Sequence, residues 1–175
     1  AVIFSERKEY TKSDPIKIEM EKGVHKIRSF WHSPIKTMNV TCSHITFVGK
    51  GKDQTTIRGG FKVENQQNVT FEELAVLNPR GQGCGLQLQG SETTVDVLKC
   101  VVKRCGRGGL SLQKGSGMNV RDGATVTATQ CEFMENGTGV YCVDANTTAR
   151  FNDCTMHHNI KGGCTIVRAV VDLHG

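Results

Sequence analysis

The side chains best equipped for chemistry are charged, and they recur at turns between short alternating apolar stretches. Lys50, Lys52, Arg58, Arg80, Lys103, Arg104, Arg107 and Lys161 fall in one recurrent turn region, with His157 and His158. Only Asp53 and Glu135 oppose them there. Cations lined along one edge attract an extended polyanion. Arginine forks suit carboxylate, sulfate or phosphate. The candidate ligand-binding residues are therefore Arg80, Lys103, Arg104, Arg107 and Lys161. The bland reading of the same residues is a solvated turn, where Lys and Arg are common.

A second recurrent turn carries one carboxylate per repeat: Glu64, Glu92, Asp122 and Asp144. Carboxylates held on neighbouring repeats suit a general acid–base pair or a calcium site. Asp96 adds an outward carboxylate on a strand, in the same row as Arg150. If the protein is an enzyme, the catalytic candidates are Asp96, Asp144 and Glu92, with Arg104 or Lys103 as base or substrate clamp. Calcium is expected only in that case; otherwise no cofactor and no metal is expected. Turn lengths differ between repeats, so isolated solvated acids are the competing reading.

Eight cysteines are present. Cys42, Cys100, Cys131, Cys142, Cys154 and Cys164 occupy inward positions, Cys84 sits beside a recurrent Gly, and Cys105 lies in a corner. Free Cys behaves as a small buried hydrophobe. Side chains stacked in register point parallel, which suits disulfide geometry poorly. A CxxC pair is missing, as is an inward His, so zinc is disfavoured. Reduced cysteines favour an intracellular or virion-interior setting. Four N-x-S/T sequons, at Asn39, Asn68, Asn136 and Asn146, keep a secreted setting open. Asn is also a natural turn residue.

These residues are positioned by a repeat. TVDVLKCVV (94–102), TVTATQCEF (125–133) and TARFNDCTM (148–156) share one grammar of two period-2 stretches around a two-residue break. NVTFEELAV (68–76) and NVTCSHITF (39–47) read as further copies. Period 2 means strand. The central inward residues are Ile45, Leu74, Cys100, Cys131 and Cys154. A third strand follows a Gly in each copy: Gly60–Val63, Gly85–Leu88, Gly109–Leu112, Gly139–Cys142 and Gly163–Ile166. Glycine at a repeated corner suits positive φ.

This grammar resembles the right-handed parallel β-helix, the pectate-lyase-like superfold and its β-helix-repeat families. The resemblance covers about residues 38–167. It implies an all-β, single-stranded parallel β-helix of about five three-strand coils. Residues 1–37 form an N-terminal cap or partial coil, and 38–175 the β-helix. The EKG (21–23) and ITFVGKGKDQTTI (45–57) segments are similar to β-helix proteins of algae and large algal viruses. Lyases of the superfold use acidic calcium ligands and a basic residue; hydrolases use paired carboxylates. No epimerase or polygalacturonase motif is found here. The resemblance speaks to fold more than to function.

Composition narrows the rest. The chain has 175 residues, 22 Lys plus Arg and 17 Asp plus Glu, a net charge of +5, which favours anionic partners weakly. With 37% hydrophobic and 22% charged residues it is neither disordered nor membrane-spanning, because apolar runs are only a few residues long. It opens on Ala1, as a processed or trimmed product would. Val167–Leu173 reads as the start of another coil, open to a protein partner. Nucleic acid is disfavoured, since Tyr141 is nearly alone as an outward stacking ring. The expected function is a non-catalytic structural and binding module for an anionic glycan, or a component of a larger or viral assembly. The alternative is a lyase or hydrolase acting on an acidic polysaccharide.

Overall fold

The computed structural model describes residues 10–27, 37–79, 83–106 and 115–175. These residues form nineteen strands and no helix. Each turn of the chain contributes three strands. The first rung is β1 (Ile16–Glu19), β2 (Gly23–Lys26) and β3 (Thr37–Val40). The second is β4 (Ile45–Val48), β5 (Thr55–Arg58) and β6 (Gly60–Glu64). The third is β7 (Val69–Glu72), β8 (Ala75–Leu77) and β9 (Leu86–Gln89). The fourth is β10 (Thr94–Leu98), β11 (Val101–Lys103) and β12 (Ser116–Arg121). The fifth is β13 (Thr125–Thr129), β14 (Glu132–Met134) and β15 (Thr138–Val143). The sixth is β16 (Thr148–Asn152), β17 (Thr155–His157) and β18 (Cys164–Val167), and β19 (Val170–His174) opens a seventh.

Equivalent strands pair in parallel to build three sheets. Sheet A runs β1-β4-β7-β10-β13-β16-β19, sheet B β2-β5-β8-β11-β14-β17, and sheet C β3-β6-β9-β12-β15-β18. The chain is a parallel β-helix. It has six rungs rather than about five, because β1–β3 make a rung of their own.

Alternation drives one residue of each pair inward. Phe47, Phe61 and Phe71 pack with ring centroids 4.8–5.3 Å apart, and Phe133 meets Phe151 at 5.9 Å. Such pairs add to the burial of apolar area that drives folding. A separate inward column, at the corner between sheets A and B, is filled by cysteines. Cys100, Cys131 and Cys154 follow one another in the column begun by Leu74, as expected. The Cys131 Sγ lies 3.5 Å from the Cys100 amide nitrogen, and the Cys154 Sγ 3.4 Å from that of Cys131. All eight cysteines are free thiols.

Register corrects three expectations. Ile45 pairs with Val69, not Leu74. NVTCSHITF is therefore not a copy of the repeat: it joins the end of β3 to the start of β4. The residue level with Leu74 is Thr55, since Thr56 pairs with Ala75. Residues 49–54 form an excursion where the third to sixth rungs use a two-residue corner. Next, the third strand of the fourth rung is β12, with Met118 and Val120 aligned to Leu86 and Leu88. Gly109–Leu112 lies outside the described residues.

Finally, the recurrent glycines are needed for close approach, not for positive φ. A Cβ on Gly60 would collide with the Cys84 carbonyl, one on Gly117 would stand 2.7 Å from the Gly139 carbonyl, and one on Gly139 would collide with the Gly163 carbonyl. Positive φ falls instead on non-glycine corner residues. Between sheets A and B these are Glu73, Lys99, Gln130 and Asp153, at φ 50–55°. Each donates its amide to a carbonyl of the next rung, Glu73 to Leu98 and Lys99 to Thr129 among them, at 2.8–3.0 Å. These bonds offset a left-handed conformation that costs about 1–2 kcal/mol for an L-residue.

Candidate functional site

The outer face of sheet B carries two columns of side chains. One reads Thr56, Ala75, Val101, Glu132 and Thr155 from rung two to rung six. The other reads Arg58, Leu77, Lys103, Met134 and His157, with Lys26 ahead of it. Parallel pairing stacks these positions about 4.8 Å apart.

The two columns are treated differently. Ala75 and Val101 point outward by alternation, yet they are 0% and 3% exposed. The excursion 49–54 runs along this column, for Lys52 Nζ reaches Glu132 Oε2 at 3.8 Å, three rungs from Thr56. Thr55 pins the base of the excursion. Its hydroxyl accepts from the Lys50 amide at 2.9 Å and donates to the Glu21 carbonyl at 3.2 Å. On the corner side, the excursion walls a groove of about 490 Å³ lined by Lys50, Gly51, Lys52, Asp53, Gln54, Glu73, Lys99 and Gln130. Glu132 also accepts from His157 Nε2 at 2.7 Å, and the Nδ1 atoms of His157 and His158 share a hydrogen bond.

The Arg58 column stays open. Among the described residues, neither Arg58 nor Lys103 meets a carboxylate. Arg58 is exposed, and Leu77, Lys103 and Met134 are half-buried. From Arg58 to Met134, unpaired cations thus alternate with apolar side chains along the rod, and Lys26 stands one rung before Arg58.

The residues expected to form one basic edge are dispersed. Lys103 ends β11 in the open column. Arg104 takes the next corner at φ 54° and places Nε 2.6 Å from Glu135 Oε2. That hydrogen bond, reinforced by the carboxylate charge, holds the Arg104 guanidinium above its ordinary pKa. Its charge is therefore already matched. Lys161 lies on the sixth-rung corner, its amide bonded to the Gly137 carbonyl at 2.8 Å. Arg80 and Arg107 lie outside the described residues. Lys50 and Lys52 belong to the excursion between sheets A and B, a different corner from the one expected.

The expected row of one carboxylate per rung does not form. Glu64 ends strand β6 and pairs in register with Gln89. Asp122 and Asp144 occupy the following corner, at φ 57° and 80°. Glu92 lies further into its turn, two rungs before Asp144. Asp96 stands on the outer face of sheet A between Thr70 and Thr127, with Arg150 one rung beyond Thr127. The Asp96 side chain is exposed, yet desolvation of its carboxyl raises its pKa above the ordinary value, against the opposing charge of Lys12. Arg150 instead pairs with Asp172 at 3.5 Å. Among the described residues no group of three His, Cys, Asp or Glu side chains is arranged to hold a metal ion.

The outer face of sheet C holds a network that carries no motif. Lys62 Nζ donates to Glu64 Oε2 at 2.7 Å, and Gln89 donates to Glu64 Oε1. Gln89 Oε1 accepts from Arg121 at 2.8 Å and from Gln87 at 2.8 Å. The hydrogen bond from Lys62, then that from Gln89, holds the Glu64 carboxyl below its ordinary value. Gln89, Asn119 and Tyr141 are buried although they face outward. The only sequence clue was that polar residues fill outward positions on a Gly-led strand.

The sequons divide. Asn136 is fully buried: its Oδ1 accepts from the Cys105 amide at 2.9 Å and its Nδ2 donates to the Val102 carbonyl at 3.0 Å. It is a structural buttress. Asn39 lies in β3 level with Lys62, not at the corner position of Asn68.

No protein-family model matches the chain, and no curated protein and no solved structure was found to match it. No helix among the described residues is long and apolar enough to cross a membrane. Fold and surface together define a parallel β-helix with one open, cation-bearing face.

Proposed function

We propose that the protein is a non-catalytic β-helix module that binds an extended anionic polymer, an acidic glycan first, along the outer face of sheet B. The observation that supports this is the open column in which Arg58 and Lys103 lack carboxylate partners while Arg104, Lys62, Arg121 and Arg150 have theirs. An unmatched cation keeps its full attraction for a ligand, whereas one already paired must first lose its partner. The rungs form a stiff backing, so the ligand pays the ordering cost and the protein pays little. A place within a larger or viral assembly is compatible with the same face.

The reading is tested by retention on heparin and alginate columns at low salt. The wild-type chain is expected to be retained and to elute as salt screens the contacts. Arg58→Gln with Lys103→Gln is expected to elute at distinctly lower salt. Flow-through of the folded wild-type protein on both columns would overturn the reading. The chain-cleaving alternative rests on Asp96, Asp144 and Glu92, for which no convergent carboxyl pair speaks among the described residues.

A further inference from the structure

We infer that the open column of sheet B selects a glycan bearing one anionic group per disaccharide over one bearing an acid on every sugar. This rests on the polyanion reading above and adds the spacing of the ligand's charges. From the second rung on, the column alternates: Arg58, Leu77, Lys103, Met134, His157, with Lys26 one rung before Arg58. On this alternating stretch the unmatched cations Arg58 and Lys103 are separated by two rungs, about 9.6 Å at about 4.8 Å each. That interval is close to the length of an extended disaccharide. His157 continues the alternation two rungs beyond Lys103, although its Nε2 is engaged by Glu132 at 2.7 Å.

The interval is rigid. Each side chain is anchored to a backbone paired on both sides, over a core of fully buried Val76, Val102 and Phe133. A slip by one rung would require breaking the whole stack. A ligand lying along the rod therefore meets a cation, an apolar patch and a cation in fixed order. An alternating glycan sets its carboxylates on Arg58 and Lys103 and the apolar face of its neutral sugar on Leu77 and Met134. A homopolymer of uronic acids would press every second carboxylate against Leu77 or Met134. An anion desolvated on an apolar side chain without a partner is penalised. Arginine and lysine also recognise carboxylate as charge-assisted donors, so the matched arrangement collects two strong contacts.

The test is calorimetric titration at low ionic strength with two probes of equal carboxylate number: a hyaluronan oligosaccharide and an oligogalacturonate. The hyaluronan oligosaccharide is expected to bind about fivefold or more tightly, roughly 1 kcal/mol by the relation between affinity and free energy. Leu77→Lys with Met134→Lys, both outward and half-buried, is expected to abolish or reverse that preference. Circular dichroism checks that this variant folds, and Leu77→Gln with Met134→Gln serves as an uncharged second variant. The latter is expected to weaken hyaluronan binding without strengthening oligogalacturonate binding. Equal or tighter oligogalacturonate binding by the wild type, unaltered in the lysine variant, overturns the spacing inference while the polyanion reading stands. Failure of the wild type to bind either probe, together with no retention on heparin, overturns both.

Discussion

The outer faces of sheets B and C use the same kinds of residue to opposite ends. On sheet C, Lys62 is met by Glu64 two residues along its own strand, Arg121 by the adjacent Asp122 and by Gln89 on the neighbouring rung, and the cations close into a network. On sheet B, Arg58 and Lys103 have Leu77 as their common neighbour, and nothing among the described residues neutralises them. The difference lies in what stands beside the cation, along its own strand and one rung away. In a parallel stack a side chain's outward neighbours also come from the next turns of the chain, so availability for a ligand depends on register as well as on local sequence.

The comparison can be broken most severely at Asn136, which fastens the fourth rung to the fifth between the two sheets. Asn136→Ala leaves the Cys105 amide and the Val102 carbonyl without their side-chain partner. At about 1–3 kcal/mol for each buried group so left unpaired, the variant is expected to lose about 2–6 kcal/mol, read as a fall in urea midpoint. Next in size is the contrast between faces. Arg58→Gln with Lys103→Gln is expected to weaken polyanion binding about tenfold, which is about 1.4 kcal/mol. Lys62→Gln with Arg121→Gln should leave retention nearly unchanged; equal losses from both pairs would erase the distinction drawn here.

The thiols sharpen it from inside. Burial pushes the Cys100 and Cys105 thiols up to about 12, whereas hydrogen bonding from Cys131 holds half-buried Cys154 below its ordinary value. The thiolate is the reactive form. Iodoacetamide at pH 8 is therefore expected to label Cys154 well before Cys100 or Cys105, as mass spectrometry of timed digests would show. Labelling of Cys100 at the same rate would contradict a sealed core.

The smallest effect concerns acid. Lys62, then Gln89, holds the Glu64 carboxyl below its ordinary value, so its folded pKa is lower than its unfolded one. Its contribution is present above the unfolded glutamate range and is lost as pH falls through the depressed folded value. Glu64→Gln should flatten the acid limb of the stability profile slightly, and an identical limb in thermal melts would refute the network's role. Asp96, raised by desolvation, works in the reverse sense. Its contribution is full below the unfolded aspartate range and fades as pH rises through the folded value.

Much of the fold was legible because the interior is periodic. Val95, Val97, Cys100 and Val102 announce their own copies at 126–133 and 149–156, and the cysteine column follows from them. Legibility failed where one local pattern fits two places. Gly109–Leu112 and Gly117–Val120 both read Gly-apolar-polar-apolar, and only the register against β9 and β15 places the second as the third strand of its rung. NVTCSHITF imitated a repeat because its two-residue break matched, whereas the excursion 49–54 had moved the true corner downstream.

The amino-acid sequence by itself determined the strand alternation, the inward set, the recurring close-packed glycines and hence a coil of three parallel strands. Those follow from period 2 and from side-chain volume, which act within a few residues. Only the tertiary structure decided which rung faces which, and with it the cross-rung partners of charges such as Arg104 and Lys103. That choice depends on turn lengths summed along the chain and on backbone packing between rungs, so Arg104 was matched by Glu135 while its neighbour Lys103 was left open beside Leu77 and Met134.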